Sequence, residues 1–372
     1  MRIALVAPDI PDYSIEFAQT IAEAADVLLC IPDKYQSLRY PRPKDRLEIK
    51  WLPWPRQREL LGSILFMTRL ALQIRRWRPD LIHVLMDRYI WANLLFPFFR
   101  TTPILTTVHD VRSHPGDVAS GRIPRFFTNG MVTRSDAILI HGDGLRQDAT
   151  KLWSIRPERC FVFPHVLLWR YRDVADQKKF TRPNDDFFRV LFFGRICEYK
   201  GLQYLLKATP LLQKSVSRLK IIVAGSGNDL ANCHNLISNL SCIELHDRFI
   251  SIQETARLFS QADMVVLPYT EASQSGVLMI AMTFGLAVVA SDVGELGDTV
   301  KLTEMGLVVP PCDEIALAAA ISEIACNRRL RRRLSNNATA AAEGTYSRTS
   351  LSNRAMSIYD ALLQNTMTHM DS

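Results

Sequence analysis

Long apolar runs are missing from this sequence. No stretch of about 18 uncharged apolar residues occurs, so no membrane-spanning helix is expected. The N-terminal MRIALVAPDIPDYS is apolar only as far as Pro8 and then turns acidic, which does not fit a signal peptide. Paired cysteines are also missing. Cys30, Cys160, Cys197, Cys233, Cys242, Cys312 and Cys326 are scattered, odd in number and never spaced Cys-x-x-Cys. That excludes a small disulfide scaffold and points to reduced thiols in a reducing compartment. No short-period repeat is visible. Gly225-Ser-Gly227 is a glycine turn but not a complete GxGxxG, which argues against a nicotinamide cofactor. No Asp-x-Asp pair closes a strand.

What is present is ordinary globular material. Of 372 residues, 48% are hydrophobic and 22% charged, enough apolar matter for two cores. At roughly 100–200 residues per domain, about two domains are expected. Lys and Arg number 45 against 38 Asp and Glu, a net charge of +7. That excess suits an anionic small molecule, an anionic membrane surface or nucleic acid, without choosing among them.

Short apolar runs recur along the chain, separated by helical spacing. Strands are expected at 3–7, 27–31, 79–85, 103–108, 137–140 and 160–163. The alternation restarts at 189–193, 219–224, 243–245, 264–267, 287–290 and 307–309. Helices are expected at 14–24, 201–214, 252–260, 276–284 and 313–343. This reads as two α/β units, each a doubly wound parallel sheet. Residues 170–188 are charged, contain a proline and lack apolar periodicity; they are expected to form the linker. In such sheets ligands bind beyond the carboxyl ends of the strands, so chemistry should follow strands.

Two segments meet that condition. In Val190–Gly201 a buried strand ends at Gly194, followed by Arg195, Lys200 and a helix opening at Gly201. Two cations beside a helix N-terminus suit a diphosphate; a loop with two solvated basic residues is the plainer alternative. In Leu267–Gly285 another strand ends in a polar loop holding Glu271, Ser273, Gln274 and Ser275, and Gly276 opens a helix. Ser275 or Ser273 fits an N-cap, and Glu271 fits an acceptor for sugar hydroxyls.

The ordered segments GR…KG at 194–201, VAGSG at 223–227, ADMVVLPYTEASQSG at 262–276 and AMTFGLAVVASDVGELGD at 281–298 resemble the C-terminal domain of family 4 glycosyltransferases, which have the GT-B fold. RPDLIHVL at 78–85, ILTTVHD at 104–110, AILIHGDGLRQDA at 137–149 and MGLVVPPCDEIALAAAI at 305–321 agree with it. The resemblance implies two facing Rossmann-like domains: an N-terminal acceptor-side domain at 1–169, a nucleotide-sugar domain at 189–344, and a segment 345–372 returning to the first. It implies transfer of a sugar from a nucleotide-sugar co-substrate with retention of configuration, needing no metal and no other cofactor. The implied acceptor is a glycan, polysaccharide or lipid-linked sugar. Arg195 and Lys200 would hold the diphosphate, helped by Gly194, Gln274 and the backbone of Ser275, Gly276 and Val277. His109 would reach the donor sugar, and Arg248 and Phe249 would lie in the loop against the nucleobase. Two departures stand out. Where most members have paired glutamates, this chain has Ala272 and Ile280, with Glu271 one position off. Where a glycine pair is common, it has Pro8-Asp-Ile-Pro-Asp-Tyr13. A non-catalytic GT-B protein and a Rossmann-type oxidoreductase are the alternatives.

Other signals weigh less. His109, Asp110, Arg112 and His114 lack ligand spacing for a metal, and Cys233, His234, Cys242 and His246 are separated by a helix and a strand. His165 ends a strand and fits either the ligand side or a packed loop. The run Arg328, Arg329, Arg331, Arg332 and Arg333 reads as a solvated helix face. Arg39, Arg42, Lys44, Arg46, Lys50, Arg56 and Arg58 interleave with Tyr40, Trp51 and Trp54, before a largely apolar stretch from Leu60 to Leu72 and then Arg75, Arg76 and Arg78 around Trp77. This suits an interfacial helix on an anionic membrane, or a core helix with a solvated end. No nucleic-acid recognition module is evident. The expected location is cytoplasmic, with peripheral contact at the inner face of the plasma membrane.

Overall fold

The structure, a computed structural model, describes residues 1–38, 45–56, 58–111 and 125–370. Arg39, Tyr40, Arg42, Lys44, Arg112 and His114 lie outside the described residues. Two compact units are formed. One comprises the described residues up to Val166 together with the C-terminal stretch from Tyr346; the other runs Leu167–Thr345.

The first unit holds a seven-stranded sheet: β1 Arg2–Val6, β2 Asp26–Pro32, β3 Leu47–Leu52, β4 Leu81–Val84, β5 Ile104–Thr107, β6 Ala137–Ile140 and β7 Cys160–Val162. Every pairing is parallel, in the order β3-β2-β1-β4-β5-β6-β7. The strands read as continuous apolar runs because both faces are covered. Ile3 and Leu5 point to one core, shared with the helices Pro11–Ile21 and Arg348–Met370; Ala4 and Val6 point to the other, shared with the helix Leu60–Trp77. The last helix is anchored by Leu351, Ala355, Ile358, Tyr359 and Leu362, and Arg348 donates to Glu16 (2.8 Å) and Gln19 (3.1 Å).

The second unit holds six parallel strands: β8 Phe188–Phe193, β9 Leu219–Gly225, β10 Ile243–Asp247, β11 Met264–Leu267, β12 Ala287–Ser291 and β13 Gly306–Val309. Their order is β10-β9-β8-β11-β12-β13. In both sheets the strand order reverses beside the first strand, the topological switch point at which such folds take ligands.

Three local expectations differ. Strand β3 lies inside the basic stretch, and only Leu47 of it is buried. Residues 170–188 do not form an open linker throughout: Trp169–Lys178 form a helix of the second unit, packed on the helices Ile252–Gln261 and Gly276–Thr283. It is polar, but it buries Arg170 and Ala175 and is braced by Arg172 to Asp176 at 3.0 Å. The helical region 313–343 is broken at Asn327, whose side chain accepts from the Leu330 N–H (3.0 Å) and restarts the helix.

Candidate functional site

In the second unit the loops that follow β8, β9 and β11 are locked together by their backbones. The Gly194 N–H donates to the Ala224 carbonyl (2.9 Å). Gly225 sits at φ +146°, and a Cβ there would overlap the Gly194 carbonyl. Gly201, at φ +68°, closes the turn Glu198–Lys200 and opens the helix Leu202–Ser215. A Cβ on it would overlap the Pro268 carbonyl, and the neighbouring Thr270 N–H donates to the Tyr199 carbonyl (2.8 Å). Only glycine satisfies both the positive φ and the close approach.

Lys200 sits on this platform. Its Nζ lies 3.7 Å from the ring centroid of Tyr269 and 5.0 Å from that of Tyr199, a cation over two aromatic faces. Desolvation lowers the Lys200 pKa, and the charge of Arg195 lowers it further. Lys200 is thus partly dehydrated with the charge of Arg195 beside it, an arrangement that an anion relieves. Arg195 is exposed. Tyr269 is buried, which raises its pKa, and its hydroxyl lies 3.2 Å from Ser275 Oγ. Ser275 caps the helix Gly276–Thr283 by accepting from the Leu278 N–H (3.4 Å). A Cβ on Gly194 would stand 3.5 Å from Val277 Cγ2, so the turn after β8 faces the first turn of that helix. Backbone N–H groups of a first turn have no intrahelical partner and attract negative charge. Gln274 Oε1 accepts from the Ser275 N–H (3.4 Å), and Glu271 is exposed on the same loop. Ile280 is buried and serves the core.

Beyond β10, Arg248 makes two 2.5 Å hydrogen bonds to the Glu254 carboxylate and holds its pKa down. Its guanidinium is therefore committed within the loop. Phe249 beside it is 85% exposed, an aromatic face open to a planar ligand.

His109 lies in the first unit, directly after β5. Its Nε2–H donates to the Leu85 carbonyl (3.0 Å), which leaves Nδ1 as the lone-pair nitrogen of the neutral ring. The sequence singled out His109 and noted His165, but not the cluster they join. Tyr13 is the hub: its ring centroid is 4.7 Å from that of His109, 5.4 Å from His141 and 5.0 Å from His165. His141 and His165 follow β6 and β7 as His109 follows β5, and Tyr13 stands where the glycine pair is absent. Burial lowers all three histidine pKa values. Among the described residues no three His, Cys, Asp or Glu side chains are grouped as metal ligands. Cys233 is in the core, and His246 Nε2 pairs with Glu244 (2.8 Å).

Two family models match. The glycosyl transferases group 1 model covers residues 173–341, and the glycosyl transferase 4-like domain model covers 13–165. An alpha-D-kanosaminyltransferase of Streptomyces kanamyceticus is 23% identical over 318 residues, covering 80% of this chain and 81% of that protein. A 2-deoxystreptamine glucosyltransferase of the same organism is 26% identical over 312 residues, covering 77% and 78%. Among solved structures, HepE of Anabaena in complex with UDP superposes with a TM-score of 0.71 at 15% identity, covering 97% of this chain and 100% of that one. Sucrose-phosphate synthase of Thermosynechococcus elongatus gives 0.69 at 18% identity, covering 98% and 100%. The fold is GT-B.

Proposed function

The chain belongs to the glycosyl transferases group 1 family, and from that premise we propose that it is a retaining transferase using a nucleotide-sugar donor and a glycan or lipid-linked acceptor. The observation that carries this reading is Lys200 held on Tyr269 at 3.7 Å beside Arg195 and the helix end at Ser275. In the proposed reaction the bond between the sugar C1 and the β-phosphate oxygen breaks. Its electron pair leaves with the nucleoside diphosphate, whose new charge meets Lys200, Arg195 and the N–H groups of Gly276 and Val277. Such fixed donors stabilise developing charge without reorganising. C1 forms its new bond to an acceptor hydroxyl on the same face, and the hydroxyl proton passes to the departing phosphate. No metal and no resident cofactor takes part in this scheme. His109, with Nδ1 as acceptor, suits a sugar hydroxyl, and Phe249 suits the base.

A thermal-shift panel of UDP, GDP, ADP, CMP and NAD tests the donor site. A ligand at 100 times its Kd adds about 2.7 kcal/mol, a shift of several degrees. One nucleoside diphosphate should stabilise the wild type and fail to stabilise Lys200→Ala. A response to NAD alone, or to no nucleotide, would contradict the reading.

A further inference from the structure

The helix Leu60–Trp77 has two apolar faces. Met67, Leu70, Ala71 and Ile74 are buried in the first unit's core. At 100° per residue, Leu61, Leu65 and Leu72 fall on one stripe of the outward side, and they are 75%, 58% and 45% exposed. A row of leucines left in water marks an interaction surface more often than a scattered single residue does. Arginines border the stripe: Arg69 and Arg76 follow one edge and Arg75 the other. No Asp or Glu occurs between Leu60 and Trp77. All three arginines are exposed. Next to the stripe a cavity of about 700 Å³ opens between this helix and the segment 52–56, lined by Trp54, Leu65, Phe66 and Arg56 and by the acids Asp33 and Glu59.

The charge pattern selects the partner. If two copies of this helix met through the leucines, their arginines would be brought together with no acid on the stripe to receive them; Glu59, at the N-cap, lines the cavity. An anionic lipid surface accepts both elements, apolar contact beneath and phosphate above. We propose that this face docks the first unit on an anionic phospholipid bilayer. Leu61, Leu65 and Leu72 enter the interface, and Arg69, Arg75 and Arg76 meet headgroup phosphates. This face belongs to the first unit, whereas Lys200, Arg195 and Ser275 belong to the second.

The test is flotation of the full-length protein with vesicles of phosphatidylcholine, alone or mixed with phosphatidylglycerol. Binding is expected on the mixed vesicles, absent on phosphatidylcholine alone, and weakened by added salt. Changing each of Arg69, Arg75 and Arg76 to Gln should lower the partition coefficient about fivefold per residue. The triple variant Leu61→Ser, Leu65→Ser, Leu72→Ser should lose binding with an unchanged circular dichroism spectrum and melting point, because these side chains are exposed. Equal binding of that variant and wild type would overturn the proposal, as would binding indifferent to lipid charge. So would a wild-type dimer that the serine variant dissociates, together with no vesicle binding.

Discussion

Lys200 shows how a functional residue is made from ordinary parts. A lysine on a loop is normally solvated; here Gly201 lets two loops approach until the ammonium rests on Tyr269. Gly201 is where that arrangement is most exposed to change. Gly201→Ala would meet both a positive φ and the Pro268 carbonyl. It should destabilise the protein by about 2 kcal/mol or more, measured as the shift of the denaturant midpoint at constant slope. Arg195, Lys200 and the Ser275–Val277 turn were legible in the sequence because each follows a strand. Tyr269 was not: its role depends on Lys200, 69 positions earlier, and only folding brings the two together. Tyr13, likewise, shows its histidine neighbours only once β5, β6 and β7 lie side by side.

At the scale of elements, the central strands were legible because burial on both faces leaves an uninterrupted apolar run. The edge strand β3 was not legible. It alternates charged and apolar residues as Leu-Glu-Ile-Lys-Trp-Leu, and it sits among arginines that mask the pattern. The helix Trp169–Lys178 is hidden for a related reason: its stability comes from packing and an ion pair, not from an apolar stripe. The helix Gly276–Thr283 is short, two turns, and its start depends on one hydroxyl. Ser275→Ala should cost about 1 kcal/mol of stability. It should also weaken nucleoside diphosphate binding, since the first-turn N–H groups lose their fixed orientation. Calorimetric titration checks the second part: unchanged affinity would show that the helix end does not meet the ligand.

At the scale of the molecule, the two units differ in how they answer to acid. His83, His109, His141 and His165 all belong to the first unit, and burial lowers each pKa, His83 to about 3 and His165 to about 4. Unfolded histidine titrates near 6.5, so below that pH the unfolded state takes up protons that the folded state refuses. Stability is therefore lost as pH falls from about 6.5 toward 4. Asp87, also in this unit, acts in the opposite sense. Its pKa is raised to about 7 by burial, so it binds a proton in the folded state over the same range. The fully buried histidines outnumber it. The first unit should lose roughly 2 kcal/mol or more between pH 7 and 5. Denaturant titrations followed by fluorescence at both pH values would show this as an earlier transition of that unit; identical curves would refute it. The doubly wound parallel class was legible at this scale because strand and helix alternate twice along the chain.

The most direct measurement is the release of nucleoside diphosphate from a panel of nucleotide sugars, in the presence of candidate acceptors, by wild type, Arg195→Ala and Lys200→Ala. Loss of one preorganised charge at a leaving group typically lowers kcat by about 10²–10³-fold. Wild type should turn over one donor, and both variants should be slowed by about that factor while remaining folded. Turnover in both variants close to that of wild type would contradict the placement of the diphosphate on Arg195, Lys200 and the Ser275 helix end.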